Sequence, residues 1–425
     1  MRKRGTKEEV CNEIIVQISK STKKTCIPTD QLVIWSLGEI RGDAVTVYSF
    51  TPDETYFPMD LLDYGKKGNL KVNKHIASIP REKMINAIGE DGLNLFFETG
   101  LLFLIKYSKL SFYENGEFIS GSEDMIRASS YIVLVPEESF IISLSKNLKI
   151  NGIALKEPNI FRDLYIANLL CNAKENLYVI TRELSPHCMR MYSAVTERYN
   201  LYPQENIIPV INQAKEMIPD LEFVSYNITP RMTLMNYAIK KDCIDSKRKH
   251  LIPGFQIIMS DVGDASTTIK PYILIGNDVG YGVAKTFEHN NILKDHRFIE
   301  GIYNAFIEAD SLSKDLSMII SRKVKDPKKA FETVYKHCNL RKAYGIGIAE
   351  KAFENALPTF NESRNYKVSD VIVQLARMCN AAEKDITHST METARKKTGE
   401  ALNFVLSDKF QEFVVKPKKK GKKIS

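Results

Sequence analysis

The sequence predicts an α+β protein, built on a mixed, largely antiparallel sheet with packed helices and a helical C-terminal subdomain. Three observations support this fold class. Segments rich in β-branched and aromatic residues dominate residues 1–150, helix-like and strand-like segments alternate over 151–298, and helical periodicity fills 299–410. The chain has 425 residues, of which 44% are hydrophobic, so it has enough apolar material for a large core or for two cores.

The N-terminal region, residues 1–150, is predicted to be β-rich. It opens with a predicted helix at 8–24, where Val10, Ile14, Ile15 and Ile18 share one face. On β-propensity, strands are expected at 44–50, 93–98, 101–113 and 131–144. The dipeptide Asn115-Gly116 favours a tight turn, which predicts a hairpin between residues 109–113 and 117–119.

The central region, residues 151–298, is predicted to mix helices and strands. Its expected elements are helices at 161–169 and 206–217, a strand at 177–181, and two extended segments at 221–240 and 255–275 joined by a loop at 241–250. The C-terminal region, residues 299–410, is expected to form helices at 299–309, 327–337, 341–355, 369–380 and 389–406. Domain breaks are therefore expected near 150 and 298, and residues 411–425 are expected to be a disordered basic tail.

The two ends of the chain hold its positive excess. The formal net charge is +8, and nine cations lie at the ends, so the rest of the chain carries about −1. These cations are Arg2, Lys3, Arg4, Lys416, Lys418, Lys419, Lys420, Lys422 and Lys423. A flexible lysine-rich tail attracts phosphates without sequence preference, which favours a nucleic-acid partner. A solubilising end, an anionic membrane surface and an acidic protein surface are alternative explanations of the same composition.

The composition also argues against several classes of protein. Apolar runs such as 101–105 and 131–135 are far shorter than the roughly 20 residues of a spanning helix, so no membrane partner is expected. The basic N-terminus is not followed by an apolar signal core, which predicts a cytoplasmic location, in the host cell if a phage encodes the protein. Seven scattered cysteines match neither a disulfide framework nor a zinc knuckle, and we expect reduced thiols.

The most distinctive polar cluster lies at 259–268, within an otherwise apolar extended segment. Ser260, Gly263 and Ser266 are candidates for a ligand-binding loop, and Asp261 and Asp264 are candidate catalytic carboxylates. The same residue types are equally typical of an ordinary hairpin turn between two strands. The pattern therefore leaves a ligand loop and a turn as alternatives.

Two other groups of residues suit contact with phosphate. His289 and His296 are seven residues apart and each follows an acidic residue, so on a helix they favour a metal or phosphate site, and otherwise a solvated polar segment. Arg198 and Tyr199 place a guanidinium group beside an aromatic ring just before a predicted helix, a combination that suits phosphate contact with base stacking. Such residues also cover cores routinely.

Several motifs follow one another in a recognisable order along the chain. They are Arg198-Tyr199 within 194–202, Arg231 within 226–232, Gly254 and the Ser/Gly loop within 251–266, and finally His296-Arg297. Over roughly residues 160–300 this layout resembles a phage- and plasmid-encoded family, the domain of unknown function numbered 932. The family's usual Cys-x-Asn-Gly element does not occur in this chain, so no role of that cysteine carries over. The resemblance implies a mobile-element protein and no settled reaction.

The leading hypothesis is a nucleic-acid-binding accessory protein of phage or plasmid replication or recombination. DNA is favoured over RNA as the partner, and single strands are a candidate form. The basic ends would supply the electrostatic attraction, with Arg198, Tyr199 and Arg231 as contacts on the folded body.

Two further hypotheses stay open. One is a metal-dependent nuclease or other phosphodiester hydrolase that gathers Asp261, Asp264, Glu288 and His296 in one pocket. This enzyme hypothesis is not the favoured one. Such an enzyme would need Mg²⁺ as a cofactor. Under the other hypotheses, no cofactor or metal is expected. The other hypothesis is a structural or packaged virion protein that forms a homo-oligomer.

Overall fold

A computed structural model provides the structure of the protein. It describes residues 5–29, 32–50, 72–106, 110–114, 117–119, 131–147, 160–172, 176–185, 188–244, 251–262, 267–275, 279–282, 295–360, 365–383 and 388–415. Over these residues the fold is α+β, with two β-sheets and a helical C-terminal region. The predicted fold class is therefore confirmed.

The helices are α1 (Lys7–Ser21), α2 (Arg81–Thr99), α3 (Glu138–Asn147), α4 (Ile160–Asn172), α5 (Ile207–Met217), α6 (Asp295–Ser317), α7 (Pro327–His337), α8 (Leu340–Tyr344), α9 (Ile346–Ala356), α10 (Val368–Glu383), α11 (His388–Phe404) and α12 (Asp408–Gln411). The strands are β1 (Thr22–Pro28), β2 (Val33–Arg41), β3 (Ala44–Phe50), β4 (Val72–Pro80), β5 (Leu101–Lys106), β6 (Ser111–Glu114), β7 (Glu117–Ile119), β8 (Tyr131–Pro136), β9 (Asn176–Ser185), β10 (Cys188–Val195), β11 (Leu221–Ile228), β12 (Thr233–Ile239), β13 (Leu251–Met259), β14 (Thr268–Ile275) and β15 (Val279–Gly282).

The first sheet has ten strands in the order β4-β3-β2-β5-β8-β10-β9-β1-β6-β7. Its pairs are antiparallel except for β8 with β10, which run parallel. Helix α2 buries Met84, Ile88 and Phe96 in a core with residues of β3, β5, β8 and β10. Helices α3 and α4 contribute to a separate core with β1, β2, β5 and β8. The sheet is therefore covered by helices on both faces.

The second sheet has five strands, β11 to β15, in sequence order and all antiparallel. Alternate residues of β12 and β13, such as Tyr237, Phe255 and Ile257, pack in one core with α1, α5 and α6. Helix α1 thus packs on the second sheet, while β1, which follows it without a loop, lies inside the first sheet. This direct connection couples the two sheets at Thr22.

The C-terminal helices form a core of their own that also includes Leu251 and Ile273 of the second sheet. None of the described helices combines the length and apolar composition that a membrane crossing requires. Helices α8 and α9 were predicted as one helix at 341–355, but Gly345 interrupts them with φ of 85°. That left-handed conformation suits glycine, and glycine is weakly helix-forming, so the interruption falls at this residue.

The hairpin predicted around Asn115-Gly116 is confirmed, because β6 pairs with β7 through Phe112 opposite Ile119. Two strand predictions in the same region are wrong. Residues 93–98 belong to α2, since a short buried apolar run does not distinguish helix from strand. The strand predicted at 131–144 ends at Pro136, which lacks a backbone donor, and α3 follows it.

The two extended segments predicted at 221–240 and 255–275 are each divided into two strands. A turn closed by a 2.9 Å hydrogen bond from the Thr229 amide to the Met232 carbonyl separates β11 from β12. The polar cluster at 259–268 connects the antiparallel strands β13 and β14, as the hairpin alternative predicts. Four residues of this connection, 263–266, lie outside the described residues.

The predicted boundaries fit only in part. The first sheet continues past residue 150, because β9 and β10 pair with β1 and β8, so that break does not separate two sheets. Residue 298 lies inside α6, and Phe298 packs in the core of the second sheet, so the predicted break does not separate two cores. The tail was predicted to begin at 411, but Val414 is 3% exposed and packs in the C-terminal core, so residues 411–415 belong to the described fold. Residues 416–425 lie outside the described residues.

Gly254 provides a test of the second sheet. A Cβ atom at this position would overlap the carbonyl oxygen of Tyr237 and lie 2.7 Å from the Cα of Ala238, both of which are backbone atoms of β12. Because backbone inside a sheet cannot move aside as a flexible side chain can, Gly254→Ala is expected to lower the free energy of unfolding by about 1–3 kcal/mol. Urea denaturation measures this loss.

Gly347→Ala is the matched control, because a Cβ at Gly347 in α9 meets nothing within 4 Å. This substitution is expected to leave the free energy of unfolding unchanged or to raise it by up to about 1 kcal/mol. Equal effects of the two substitutions would contradict the described pairing of β12 with β13.

Candidate functional site

Asp261, one of the predicted catalytic carboxylates, lies just after β13 at the junction of the two sheets. It is 2% exposed. Its Oδ1 accepts hydrogen bonds from Arg182 Nη2 at 2.5 Å and from Gln204 Nε2 at 3.0 Å, and its Oδ2 accepts from Thr22 Oγ1 at 2.8 Å. Both carboxylate oxygens are therefore already engaged by groups of the protein.

Arg182 extends this junction to two more segments. Its Nε donates to Thr22 Oγ1 at 2.7 Å, and its Nη1 donates to the carbonyl of Pro230 in the β11–β12 turn. The guanidinium carbon lies 4.9 Å from the centre of the Tyr192 ring in β10. One buried ion pair thus joins β9 of the first sheet to the loops of the second sheet.

Apolar and backbone contacts close the same junction. Val262, which is fully buried, packs with Ile180 and Tyr192 of the first sheet. The hydroxyl group of Ser193 donates to the carbonyl of Val262. Val262, like Asp261, is therefore held by contacts with the first sheet. The arrangement suits a structural role at the junction.

The other members of the predicted pocket are not brought to Asp261 by any described contact. Ser260 has a buried hydroxyl group without a hydrogen-bond partner among the described residues. The remaining loop and pocket candidates, Gly263, Asp264, Ser266 and Glu288, lie outside the described residues, as does His289. His296 lies in the first turn of α6, and only its backbone is described.

The described residues can be checked for groups of side chains that could bind a metal ion. Within them, no group of three or more His, Cys, Asp or Glu side chains could hold a metal ion. Burial raises the pKa of the Cys188 thiol to about 12, so this cysteine is a protonated core residue at neutral pH. The nuclease hypothesis would require Asp261 to leave Arg182 before it could bind a cation, which favours the structural role of Asp261.

The predicted phosphate contacts Arg198 and Tyr199 lie in the loop after β10. Arg198 is exposed, whereas Tyr199 is half-buried and packs at the edge of the junction. Lys24 holds this loop, because its Nζ donates to the carbonyls of Glu197 at 2.5 Å and Tyr199 at 2.9 Å. Burial lowers the pKa of Lys24 from its ordinary value. The loop is thus fixed by its backbone, with the Arg198 side chain directed to solvent.

Arg231, the third predicted contact, lies in the β11–β12 turn near a buried carboxylate. Its Nε is 3.5 Å from Oε2 of Glu137, and Arg190 forms an ion pair with Oε1 of the same residue. Glu137 is 5% exposed. Two arginines therefore share one buried carboxylate, and Arg231 is the counter-ion of Glu137 as well as a partly exposed cation.

A basic surface that the sequence did not reveal lies in the C-terminal region. Lys323 and Lys367 form an isolated antiparallel bridge, and Val324 bridges Val414 in the same way. The Val415 amide donates to the Lys323 carbonyl at 2.9 Å, and the Lys325 amide donates to the Phe413 carbonyl at 2.9 Å. Three short segments, far apart in sequence, thus lie side by side.

We call the three exposed lysines of this bridge, Lys323, Lys325 and Lys367, the basic edge. Val324 points into the core and is 7% exposed, so its neighbours Lys323 and Lys325 point outward together. Residues directly opposite in an antiparallel pair share a face, which puts Lys323 and Lys367 next to each other. In the sequence, only the alternation of charged and apolar residues in Lys323-Val324-Lys325 pointed to this surface. That alternation does not identify the segments at Lys367 and Val414 that lie beside it.

Within the described residues, no acidic side chain forms an ion pair with a lysine of the basic edge. Lys325 Nζ donates to the backbone carbonyl of Glu412 at 3.3 Å, and the Asp370 carboxylate accepts from the Lys367 amide rather than from its side chain. Lys328 and Lys329 follow in the first turn of α7, both exposed. The chain then continues from Val415 into the lysine-rich segment 416–423.

Comparison with family models, curated proteins and solved structures found no match. The resemblance of residues 160–300 to the domain of unknown function numbered 932 therefore stays a prediction from short motifs. Two of those motifs lie at the junction of the sheets, where Asp261 pairs with Arg182 and Arg231 lies near Glu137.

Asp261→Ala tests the structural role of the junction. The substitution leaves the Arg182 guanidinium, whose side chain is 9% exposed, buried without its counter-ion. Removing one partner of a buried ion pair costs about 3–5 kcal/mol, and urea denaturation is expected to show a loss of that size.

Glu39→Ala is the control, because it breaks the exposed ion pair between Glu39 and Arg41, whose side chains are 64% and 77% exposed. Exposed pairs contribute about 0–1 kcal/mol. If Asp261→Ala proves no more destabilising than Glu39→Ala, the junction does not hold the sheets together as described.

Proposed function

We propose that the protein binds nucleic acid through the basic edge and the lysine-rich segment that follows it. In this proposal it serves as a cytoplasmic accessory protein in phage or plasmid replication or recombination. DNA is the proposed partner. The observation that supports the proposal is the like-charge pair Lys323 and Lys367, placed on an exposed face beside the point where the segment 416–423 begins.

The like-charge pair has a cost for the fold. Cationic side chains directly opposite each other on neighbouring strands repel, and such pairs are destabilising. Lys367 also directly precedes α10, where the partial positive charge of the helix N-terminus opposes a cation, although the Asp370 carboxylate offsets part of this charge. A bound phosphate would relieve both repulsions, so the arrangement suits an anionic ligand better than it suits the free protein.

The basic segment adds to the same surface. Bridge contacts hold the chain as far as Val415, so the six lysines of 416–423 start beside the basic edge instead of at a remote end. Lysine ammonium groups contact phosphates, which carry no sequence information. Binding with little sequence preference and strong salt dependence is therefore expected.

Salt-dependent binding tests the proposal. Fluorescence anisotropy would compare the full chain, a chain ending at Val415 and a Lys323→Gln/Lys325→Gln/Lys367→Gln variant, on single- and double-stranded DNA and on RNA, at about 50 and 200 mM salt. Each phosphate contact contributes roughly 0.7–0.9 to the slope of log affinity against log salt. The triple variant is expected to lower that slope by about 2–3, and the shortened chain by more.

A Lys20→Gln/Lys83→Gln/Lys146→Gln variant is the matched control, because it removes three exposed lysines of α1, α2 and α3. Its slope is expected to stay close to that of the full chain. If the control and the basic-edge variant lose equal affinity for DNA, net charge alone accounts for the effect. If neither the chain ending at Val415 nor the basic-edge variant differs from the full chain in binding, the proposal is refuted. Magnesium-dependent cleavage would instead support the hydrolase.

Lys367→Glu separates function from stability. The substitution replaces the repulsion with Lys323 by attraction and places an acidic group at the start of α10, so the free energy of unfolding is expected to rise by about 0.5–1 kcal/mol. Affinity for DNA is expected to fall. Urea denaturation and anisotropy measure the two effects, and a loss of stability would contradict the described bridge.

A further inference from the structure

A cleft of about 470 Å³ opens between α7 and α9 in the C-terminal region. Helix α7 contributes Tyr335 and Lys336, α8 contributes Arg341, and α9 contributes Glu350, Phe353 and Glu354. Its volume falls within the range of sites for small molecules. Neither the basic edge nor the junction of the sheets shares a residue with it.

The floor of the cleft is aromatic and carries one unused polar group. The rings of Tyr335 and Phe353 stack with centroids 4.2 Å apart, and Phe331 stacks on Phe353 at 5.5 Å. Tyr335 is 6% exposed, and its hydroxyl group has no hydrogen-bond partner among the described residues. A buried hydroxyl without a partner is costly, so this hydroxyl group beside the cleft is suited to donate to an atom of a bound ligand.

The charges that line the cleft act on this hydroxyl group. Burial, together with the nearby carboxylates of Glu350 and Glu354, raises the pKa of Tyr335, while Arg341 opposes the shift. The hydroxyl group therefore stays protonated near neutral pH and is available as a hydrogen-bond donor. Tyr335 packs in the C-terminal core and also lines the cleft.

The two walls of the cleft carry opposite charges. Glu350 and Glu354 lie one turn apart on α9, the acidic wall, whereas Lys336 comes from α7 and Arg341 from α8, the basic wall. Arg341 and Glu350 meet at 2.7 Å, but their side chains are 55% and 45% exposed, so this pair opens readily. Glu354 forms no ion pair among the described residues, and Lys336 is 4.0 Å from Glu332.

This distribution of charge disfavours ligands that carry charges of one sign only and ligands without charge. A dianion would face the two carboxylates, a polyamine would face the two cations, and an apolar ligand would bury charged groups without partners. A molecule with one anionic and one cationic end matches both walls at once.

We propose that the cleft binds a small zwitterion of the α-amino-acid class. The ligand carboxylate lies against Lys336 and Arg341 and accepts a hydrogen bond from the Tyr335 hydroxyl group. The ligand ammonium group lies against Glu354 and Glu350. The proposal is independent of nucleic-acid binding, because the residues it uses are not those of the basic edge.

Thermal shift and calorimetric titration of the full chain test the proposal. The probes are the twenty common free amino acids, with putrescine as a ligand that has amines only and succinate as one that has carboxylates only. At least one amino acid is expected to raise the melting temperature in a saturable manner, with an affinity at least about tenfold above both controls. No shift by any amino acid, or equal shifts by putrescine or succinate, would overturn the proposal.

Three substitutions locate the binding. Tyr335→Phe is expected to weaken binding of the best amino acid about three- to tenfold, the value of one hydrogen bond, without lowering the melting temperature of the free protein. Glu354→Gln is expected to weaken it at least about tenfold. Lys351→Gln, an exposed lysine of α9 outside the cleft, is the control and is expected to bind as the unaltered chain does.

Full affinity in both Tyr335→Phe and Glu354→Gln would place the amino acid elsewhere and overturn the proposal. DNA affinity measured on the same variants is expected to stay unchanged. A failure of amino-acid binding can therefore be distinguished from a failure of nucleic-acid binding.

Discussion

The buried ion pair between Arg182 and Asp261 is the constraint on which the arrangement of the molecule depends. Arg182 belongs to β9 of the first sheet, and Asp261 follows β13 of the second. Thr22, where α1 passes into β1, hydrogen-bonds to both residues, and Gln204 approaches from the segment before α5. Because charges taken out of water are stable only with well-placed partners, these segments are held in one arrangement. The ion pair thereby fixes how the second sheet sits against the first.

The C-terminal helices depend on this arrangement through the second sheet. Leu251 and Ile273, on β13 and β14, belong to the same core as the helices, so the position of that sheet carries over to α7 through α12. The helices in turn bring 323–325, 367 and 413–415 together, and the basic edge results from this packing. The basic edge contributes three lysines, and the segment 416–423 that follows it in sequence contributes six more.

Local sequence patterns predicted the helices and turns that depend mainly on interactions between residues close in sequence. The hairpin at Asn115-Gly116, the helix at 207–217 and the helix at 327–337 follow from turn preference and apolar periodicity. Residues 93–98 were assigned wrongly because a short apolar run fits a helix as well as a strand. Asp261 was recognised as unusual, but its partner Arg182 lies 79 residues away, so its role as a joint could not be predicted. The basic edge was missed for the same reason, because Lys323 and Lys367 meet only through tertiary packing.

Hydrogen exchange of the full chain, measured with and without single-stranded DNA, would locate the bound DNA on the folded surface. DNA is expected to slow exchange at the amides of the bridge segments, such as Val324, Lys325, Val368 and Val415, and to leave exchange in the loop of Arg198 and Tyr199 unchanged. Protection confined to that loop, or binding that leaves the bridge amides unaffected, would contradict binding through the basic edge.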